Sequence, residues 1–182
     1  MRPHSSSIFR EATQEDVDGL AEVLVLSRKA AYQGKIPASH LEGMTVAQKA
    51  EEWREILRSP TTKTFLAQNL DKKVIGFVNF GNYRDENLPN EEVVEIRTLY
   101  VHPEYWRKGI GKNLAELAIQ NCKNSGSKRI VLWVLDSNEP AQRFYQSLDF
   151  QPDGRVKIDK RIPECELRQI RFSKNLSFGF SL

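Results

Sequence analysis

The chain has few cysteines and few histidines. Its 182 residues include two cysteines, Cys122 and Cys165, and three histidines. The cysteines are far apart and show no CxxC spacing, so we expect two reduced thiols in a cytoplasmic protein. The histidines form no HExxH or similar pattern, and the sequence therefore supports no metal site.

Long hydrophobic segments are also missing. No stretch approaches the roughly 20 apolar residues that a helix needs to cross a bilayer. The first residues, Met1 to Ser7, contain no apolar core typical of a secretory signal. We therefore expect no membrane association.

Neither sign of charge dominates. The 27 Lys and Arg residues nearly balance the 24 Asp and Glu residues, for a net charge of +3. This balance argues against a protein whose main task is coating nucleic acid, so no nucleic-acid partner is expected.

Hydrophobic periodicity predicts seven strands and four helices, in the order β-α-α-β-β-β-α-β-α-β-β. The strands are predicted at residues 7–12, 64–68, 74–80, 93–101, 129–135, 150–157 and 165–173. The helices are predicted to begin at Thr13, Thr45, Gly109 and Asn138. The strand-helix-strand unit from Val93 to Leu135 predicts a parallel strand pair. We expect a single domain over residues 7–174, with flexible termini at residues 1–6 and 175–182.

A loop with two glycines, Gly109 and Gly111, separates the strand that ends at Val101 from the next helix. Backbone N–H groups at a helix N-terminus lack internal partners and lie at the positive end of the helix dipole. Glycines let the main chain approach a phosphate closely, so the pattern predicts a pyrophosphate site. Three basic residues add positive charge: Arg107, Lys108 and Lys112.

Two common nucleotide loops fit this segment poorly. A dinucleotide-binding loop needs a small residue three positions after Gly111, where this chain has Leu114. A Walker loop needs Gly-Lys-Ser/Thr, but Asn113 follows Gly111-Lys112 here. A glycine turn without any ligand remains an alternative on the loop alone.

The neighbouring segments resemble the GNAT superfamily of N-acetyltransferases. The matching blocks are Glu95 to Pro103, Arg107 to Gly111, Asn138 to Tyr145 and Leu148 to Phe150. With the element order, the resemblance covers nearly the whole chain. Two positions depart from the family pattern: Trp106 replaces the usual Gln or Arg of the loop, and Asp149 replaces a glycine. Asp tolerates the left-handed conformation that the glycine supplies.

The resemblance implies an α/β (α+β) fold. Its central sheet would be mixed and mostly antiparallel, with about 6–7 strands, a splayed parallel strand pair and helices on both faces. The implied activity is direct transfer of acetyl from acetyl-CoA to a primary amine of a small molecule or peptide. Acetyl-CoA would be the co-substrate, and no metal would take part. A CoA-binding regulatory or partner-binding module without catalysis is the alternative.

The resemblance also assigns the donor site. The backbone of Leu99, Tyr100 and Val101 would pair with the pantetheine arm, and a main-chain N–H there would polarise the thioester carbonyl. The loop residues that would hold CoA are Arg107, Lys108, Gly109, Ile110, Gly111 and Lys112. Asn138 would help hold CoA, although Asn also favours helix caps.

Tyr145 and Glu95 are the candidate catalytic residues. The resemblance makes the Tyr145 phenol the acid that protonates the departing thiolate, with aromatic packing as the alternative. Glu95 would accept a proton from the acceptor amine, with a solvent-facing carboxylate or a salt bridge to Arg97 as the alternative. Glu91 and Glu92 are weaker candidates for this base.

The acceptor is open at this stage. Trp133 stands where relatives that acetylate protein N-termini often carry a glutamate, and we expect it to be a core residue. The segments Tyr32–Lys35 and Tyr83–Glu86 are expected to flank the acceptor or to be solvated loops. A polyamine, an antibiotic, an amino acid, a protein lysine and, more remotely, an aminoacyl-tRNA all remain candidates, and so do larger acyl groups and a homodimer.

Overall fold

The computed structural model describes residues 7–84, 92–163 and 165–176. The predictions made for Asp85, Glu86 and Glu91 and for residues 1–6 and 177–182 lie outside this part of the chain. The described residues group into two compact units, one of Met1–Phe80 with Thr98–Ala118 and one of Gly81–Arg97 with Ile119–Leu182. That the chain is a single domain stays a prediction.

The described residues form seven strands, five α-helices and two short 3-10 turns. The strands are β1 (Ile8–Glu11), β2 (Thr62–Gln68), β3 (Val74–Asn82), β4 (Val93–Val101), β5 (Arg129–Leu135), β6 (Gln151–Ile162) and β7 (Cys165–Asn175). The α-helices are α1 (Val17–Tyr32), α2 (Ala38–Glu42), α3 (Val46–Arg58), α4 (Ile110–Asn124) and α5 (Glu139–Gln146). The 3-10 turns are Gln14–Asp16 and Pro103–Tyr105.

The strands form one mixed sheet in the order β1-β2-β3-β4-β5-β7-β6. β4 and β5 are parallel, from Val93 opposite Arg129 to Ile96 opposite Leu132, and both strands continue beyond this register. β5 pairs antiparallel with β7, and β6 pairs antiparallel with β7. The predicted seven-stranded α/β fold with a parallel pair is confirmed.

The first unit has its core beneath α1 and α3. The helical repeat of Leu20, Val23 and Leu24 on α1 is buried, as its spacing predicts. Trp53 of α3 packs edge-on against Phe77, with ring centroids 4.9 Å apart. α3 begins where predicted because the Thr45 hydroxyl accepts a hydrogen bond from the Gln48 N–H, which satisfies one free donor of the first turn.

The segment after α1 differs from the prediction. The sequence predicts no helix between those that begin at Thr13 and Thr45, but the chain forms α2 there, a helix of five residues that buries Leu41. So short a helix has no room for a hydrophobic repeat, and periodicity therefore does not reveal it.

The second unit is built on β5 and the hairpin of β6 and β7. β5 is buried along most of its length, as its apolar run predicts. Arg171 of β7 is also buried, and it donates to the Asp153 carboxylate at 2.7 Å and to the Tyr83 hydroxyl at 2.6 Å. β6 is longer than predicted and ends at Ile162, whereas the prediction ends near Lys157.

Two turns that follow helices have residues in the left-handed conformation. Gly126 ends α4 with φ of 83°, and Asp149 after α5 has φ of 64°, the left-handed conformation predicted for it. The last two described residues also have defined contacts. Asn175 still pairs in β7, and Leu176 is buried and donates its N–H to the Lys128 carbonyl. Within the described ranges, no helix is long and apolar enough to cross a membrane.

Candidate functional site

The glycine loop connects the 3-10 turn Pro103–Tyr105 to α4. Arg107 and Gly109 both have positive φ, 60° and 81°, so the backbone turns sharply before Ile110. The first helical hydrogen bond that follows joins the Asn113 N–H to the Gly109 carbonyl at 3.1 Å. Among the described residues, the N–H groups of Ile110, Gly111 and Lys112 have no hydrogen-bond partner, as the geometry of a helix start dictates.

This loop has room for an anion. A Cβ built on Gly109 meets no atom within 4 Å, so open space lies beside the backbone there. Gly76 is different, since a Cβ there would approach the Tyr100 carbonyl oxygen at 3.1 Å and the Ile110 and Leu114 side chains at 3.2 Å. The close approach at Gly76 lets β3 pack against the start of α4, which fixes the free amides in position.

The basic side chains of the loop have different surroundings. Lys108 places its ammonium 4.8 Å from the Tyr105 ring centre, and Lys112 lies 3.8 Å from the Glu116 carboxylate. Arg107 is exposed. All three lie in the same unit as the free amides, so the loop combines oriented N–H groups with positive charge.

The end of β4 is held by side chains that sequence reasoning does not identify. The Val101 carbonyl accepts from the Trp106 indole Nε1 at 2.6 Å and from the Ser27 hydroxyl at 2.9 Å. The Tyr100 hydroxyl lies 3.4 Å from that of Tyr32. Trp106, the departure from the family loop, therefore ties the loop back to the strand before it.

Asn138 and Tyr145 lie in the second unit, on α5. Asn138 is the N-cap of this helix, and its Oδ1 accepts from the Ala141 N–H at 3.4 Å. In the described ranges, its Nδ2 has no hydrogen-bond partner and is free to donate. The half-buried Tyr145 ring contacts Phe144 and Phe150 edge-on, with centroids 5.0 Å and 5.9 Å away.

Glu95 lies in a cavity of about 590 Å³ in the second unit. The cavity is lined by Tyr83, Arg84, Glu95, Trp133, Lys157, Ile158, Asp159, Lys160 and Arg161. Glu95 is only 3% exposed, which excludes the solvent-facing alternative. Its salt-bridge partner is Arg84 and not Arg97, and Arg84 donates to both carboxylate oxygens, at 3.0 Å and 2.6 Å.

The charges of the cavity perturb one another. The Glu95 hydrogen bonds raise the pKa of Arg84. Partial desolvation lowers the pKa of Lys157, and repulsion from Arg84 and Arg161 adds to this lowering. Attraction to Glu95 and Asp159 opposes it. Two hydrogen bonds from the Arg161 side chain hold the pKa of Asp159 down to about 2.

Trp133 and the end of β6 are where the prediction and the structure differ. Trp133 is predicted to be a core residue, but it is half-buried and lines the cavity, with the Lys157 ammonium 4.2 Å from its ring centre. The alternation of Val156 and Ile158 with polar residues ends at three successive polar residues, 159–161, so the pattern does not indicate that β6 continues to Ile162.

The cysteines show no sign of catalytic activation. Both are free thiols, and burial raises the pKa of Cys122 to about 12. Residues 7–84, 92–163 and 165–176 contain no group of three or more His, Cys, Asp or Glu side chains that could hold a metal ion.

The described residues place a loop of free amides at a helix start, after a parallel strand pair in a seven-stranded mixed sheet. Such an arrangement is suited to an anionic group. The family model of the acetyltransferase (GNAT) family matches residues 30–150. The chain belongs to this family and is an acetyl-CoA-dependent acyltransferase.

Individual relatives agree with this assignment. The uncharacterised N-acetyltransferase YuaI of Bacillus subtilis is 27% identical over 88% of this chain and 88% of its own length. The spermidine N(1)-acetyltransferase of Thermoplasma acidophilum is 30% identical over 79% of this chain and 87% of its own length. The crystal structure of PaiA N-acetyltransferase from the same organism, in complex with coenzyme A, has a TM-score of 0.70 at 24% identity and covers 93% of this chain and 99% of that chain.

Proposed function

We propose that the protein transfers the acetyl group of acetyl-CoA directly to a primary amine. The observation that carries this proposal is the row of unpartnered amides at Ile110, Gly111 and Lys112 behind Gly109, in a chain of this family. These amides and the charges of Arg107, Lys108 and Lys112 suit the pyrophosphate of CoA. The free Nδ2 of Asn138 is a further donor that CoA would use.

The thioester would lie along β4. Leu99, Tyr100 and Val101 follow the last residues of the parallel register, and the pantetheine amides would pair with their main-chain groups. Only a hydrogen-bond donor can polarise the thioester carbonyl, so the N–H groups of this segment are the candidates for that role. The Val101 carbonyl already accepts two hydrogen bonds and is less available to the pantetheine amides.

The direct test of the activity is turnover. The protein should release CoA thiol from acetyl-CoA only when a primary amine is added, and mass spectrometry should place the acetyl group on nitrogen. Acetyl phosphate serves as a donor control because it lacks the CoA moiety. A protein that is stabilised thermally by acetyl-CoA but acetylates no amine would be the binding module without catalysis.

Tyr145 would protonate the thiolate that leaves. General acid–base catalysis typically contributes about 10²–10⁴-fold, so Tyr145→Phe should lower kcat by about 100-fold or more while acetyl-CoA still raises the melting temperature. Tyr105→Phe is the matched control, because that hydroxyl bonds to Asn69 within the first unit. Full activity of Tyr145→Phe would remove its role as the acid.

Glu95 would accept the proton of the acceptor amine, directly or through water. Its two bonds from Arg84 keep the carboxylate in one orientation and leave lone pairs on both oxygens for a further donor. Glu95→Gln should lower the rate most at low pH, where fewer acceptor molecules are already neutral. An unchanged pH profile of kcat/KM would show that another group takes the proton.

A further inference from the structure

The cavity around Glu95 has an excess of positive charge. Among the described residues, four cationic side chains line it, Arg84, Lys157, Lys160 and Arg161, against two carboxylates, Glu95 and Asp159. Each carboxylate already has a guanidinium partner, since Arg84 pairs with Glu95 and Arg161 pairs with Asp159. Lys160 pairs with Glu166, which is not among the lining residues.

Lys157 is the lining cation that belongs to none of these ion pairs. In the described ranges its ammonium has no carboxylate at salt-bridge distance, and it lies over the Trp133 ring instead. An aromatic face that already holds a protein cation is not available to a cationic ligand. Lys157 therefore leaves its N–H donors free for an acceptor oxygen.

The two guanidinium groups also keep free donors. Arg84 uses Nε and Nη2 for Glu95, and Arg161 uses Nε and Nη2 for Asp159. The Nη1 group of each has no partner in the described part of the chain. A planar guanidinium binds carboxylates through such pairs of N–H donors.

We propose that the cavity takes an amine that also carries a carboxylate, and that Lys157 and the free edges of Arg84 and Arg161 bind this carboxylate. This inference rests on the proposed acetyl transfer and names its acceptor class. The acceptor amine would lie towards Glu95, so an amino acid in zwitterionic form complements both signs of charge. A polyamine would instead bring a second ammonium beside Lys157 and Arg161, and like charges at close range are unfavourable.

Binding and turnover test this inference separately. Calorimetric titrations in the presence of CoA would use ω-amino acids of three to six carbons, each matched with the diamine and the alkylamine of equal length, together with spermidine. We expect at least one amino acid to bind about tenfold more tightly than its matched diamine, because a hydrogen bond to a charged group contributes about 1.5–3 kcal/mol. Turnover with acetyl-CoA should follow the same order.

Lys157→Met tests the residue. It should reduce the preference for the amino acid over the alkylamine by about tenfold. Lys128→Met is the matched control, because Lys128 pairs with Glu92 and does not line the cavity, and it should keep the preference.

The outcomes separate the two proposals. Tighter binding of diamines or spermidine, or an unchanged preference in Lys157→Met, would overturn the inference. Preferential binding of amino acids without turnover of any amine would support the cavity's ligand class and refute acetyl transfer. Turnover of diamines alone would leave acetyl transfer standing and refute the ligand class.

Discussion

The glycine loop and the Glu95 cavity offer a ligand different kinds of chemical group. The loop offers main-chain N–H groups whose direction is set by backbone angles at Arg107 and Gly109. The cavity offers the side-chain charges of Glu95 on β4, of the charged residues among 157–161 on β6 and of Arg84, which follows β3. Recognition through main-chain N–H groups depends on residue identity only at the few positions where the backbone needs glycine. Recognition through side chains depends on the identity of every residue that contacts the ligand. In our proposals the loop binds the donor, and the cavity selects the acceptor.

Gly109→Val should have the largest effect on this comparison. A β-branched residue at φ of 81° is strained, and the loop would relax and turn its amides away from the phosphates. We expect acetyl-CoA affinity to fall by about 100-fold, for a strain of about 3 kcal/mol, as measured by calorimetry.

Gly34→Val is the matched control for this loss. Gly34 has φ of 74° and open space at its Cβ position, so it shares the strain without belonging to the loop. The two variants should lose similar thermal stability, but only Gly109→Val should lose acetyl-CoA. An equal loss of affinity in both would mean that the loop amides have no special role.

Arg84→Met should show how much the ion pair in the cavity contributes to the stability of the protein. The buried Glu95 would lose two charge-assisted hydrogen bonds, and we expect a loss of about 1–2 kcal/mol in the free energy of unfolding, since solvent replaces part of the interaction of an exposed arginine. The double variant Arg84→Met/Glu95→Gln should regain part of this loss in urea unfolding, because no unpaired charge stays buried. Acetyl-CoA binding should be retained in both, and a parallel loss of donor binding would break the comparison.

The ion pair of Asp159 and Arg161 should give the smallest effect. The pKa of Asp159 is about 2 in the folded protein and about 3.9 in an unfolded chain, so its contribution is complete above about pH 4 and declines as the pH falls towards 2. Arg161 is highly exposed, so Asp159→Asn should cost less than about 1 kcal/mol at pH 7. The stability difference from the native protein should shrink in acid. A difference independent of pH would assign the loss to packing.

Local patterns predicted most of the fold and the loop. Thr45 caps α3, Gly126 ends α4 and Asp149 adopts the left-handed conformation, because each of these positions is set by its own backbone. The order of strands and the glycine loop follow from patterns of the same local kind.

The cavity could not be predicted in the same way. The partner of Glu95 is Arg84, eleven residues away, and not the nearby Arg97, because loop geometry and not sequence spacing selects it. Trp133 looks like a core residue, since the rest of its strand is buried on both faces. Whether such a side chain meets another side chain or a cavity depends on the neighbouring strand, and β6 is longer than its pattern indicated.

The position of β6 has a consequence for how this enzyme could diversify. Among the described strands, β6 is the last of the sheet and pairs only with β7. It supplies five of the nine described residues that line the cavity, Lys157 to Arg161. Substitutions at a sheet edge disturb few neighbours. If the cavity binds the acceptor, as proposed, substitutions in this one hairpin would change the acceptor and leave the glycine loop unchanged.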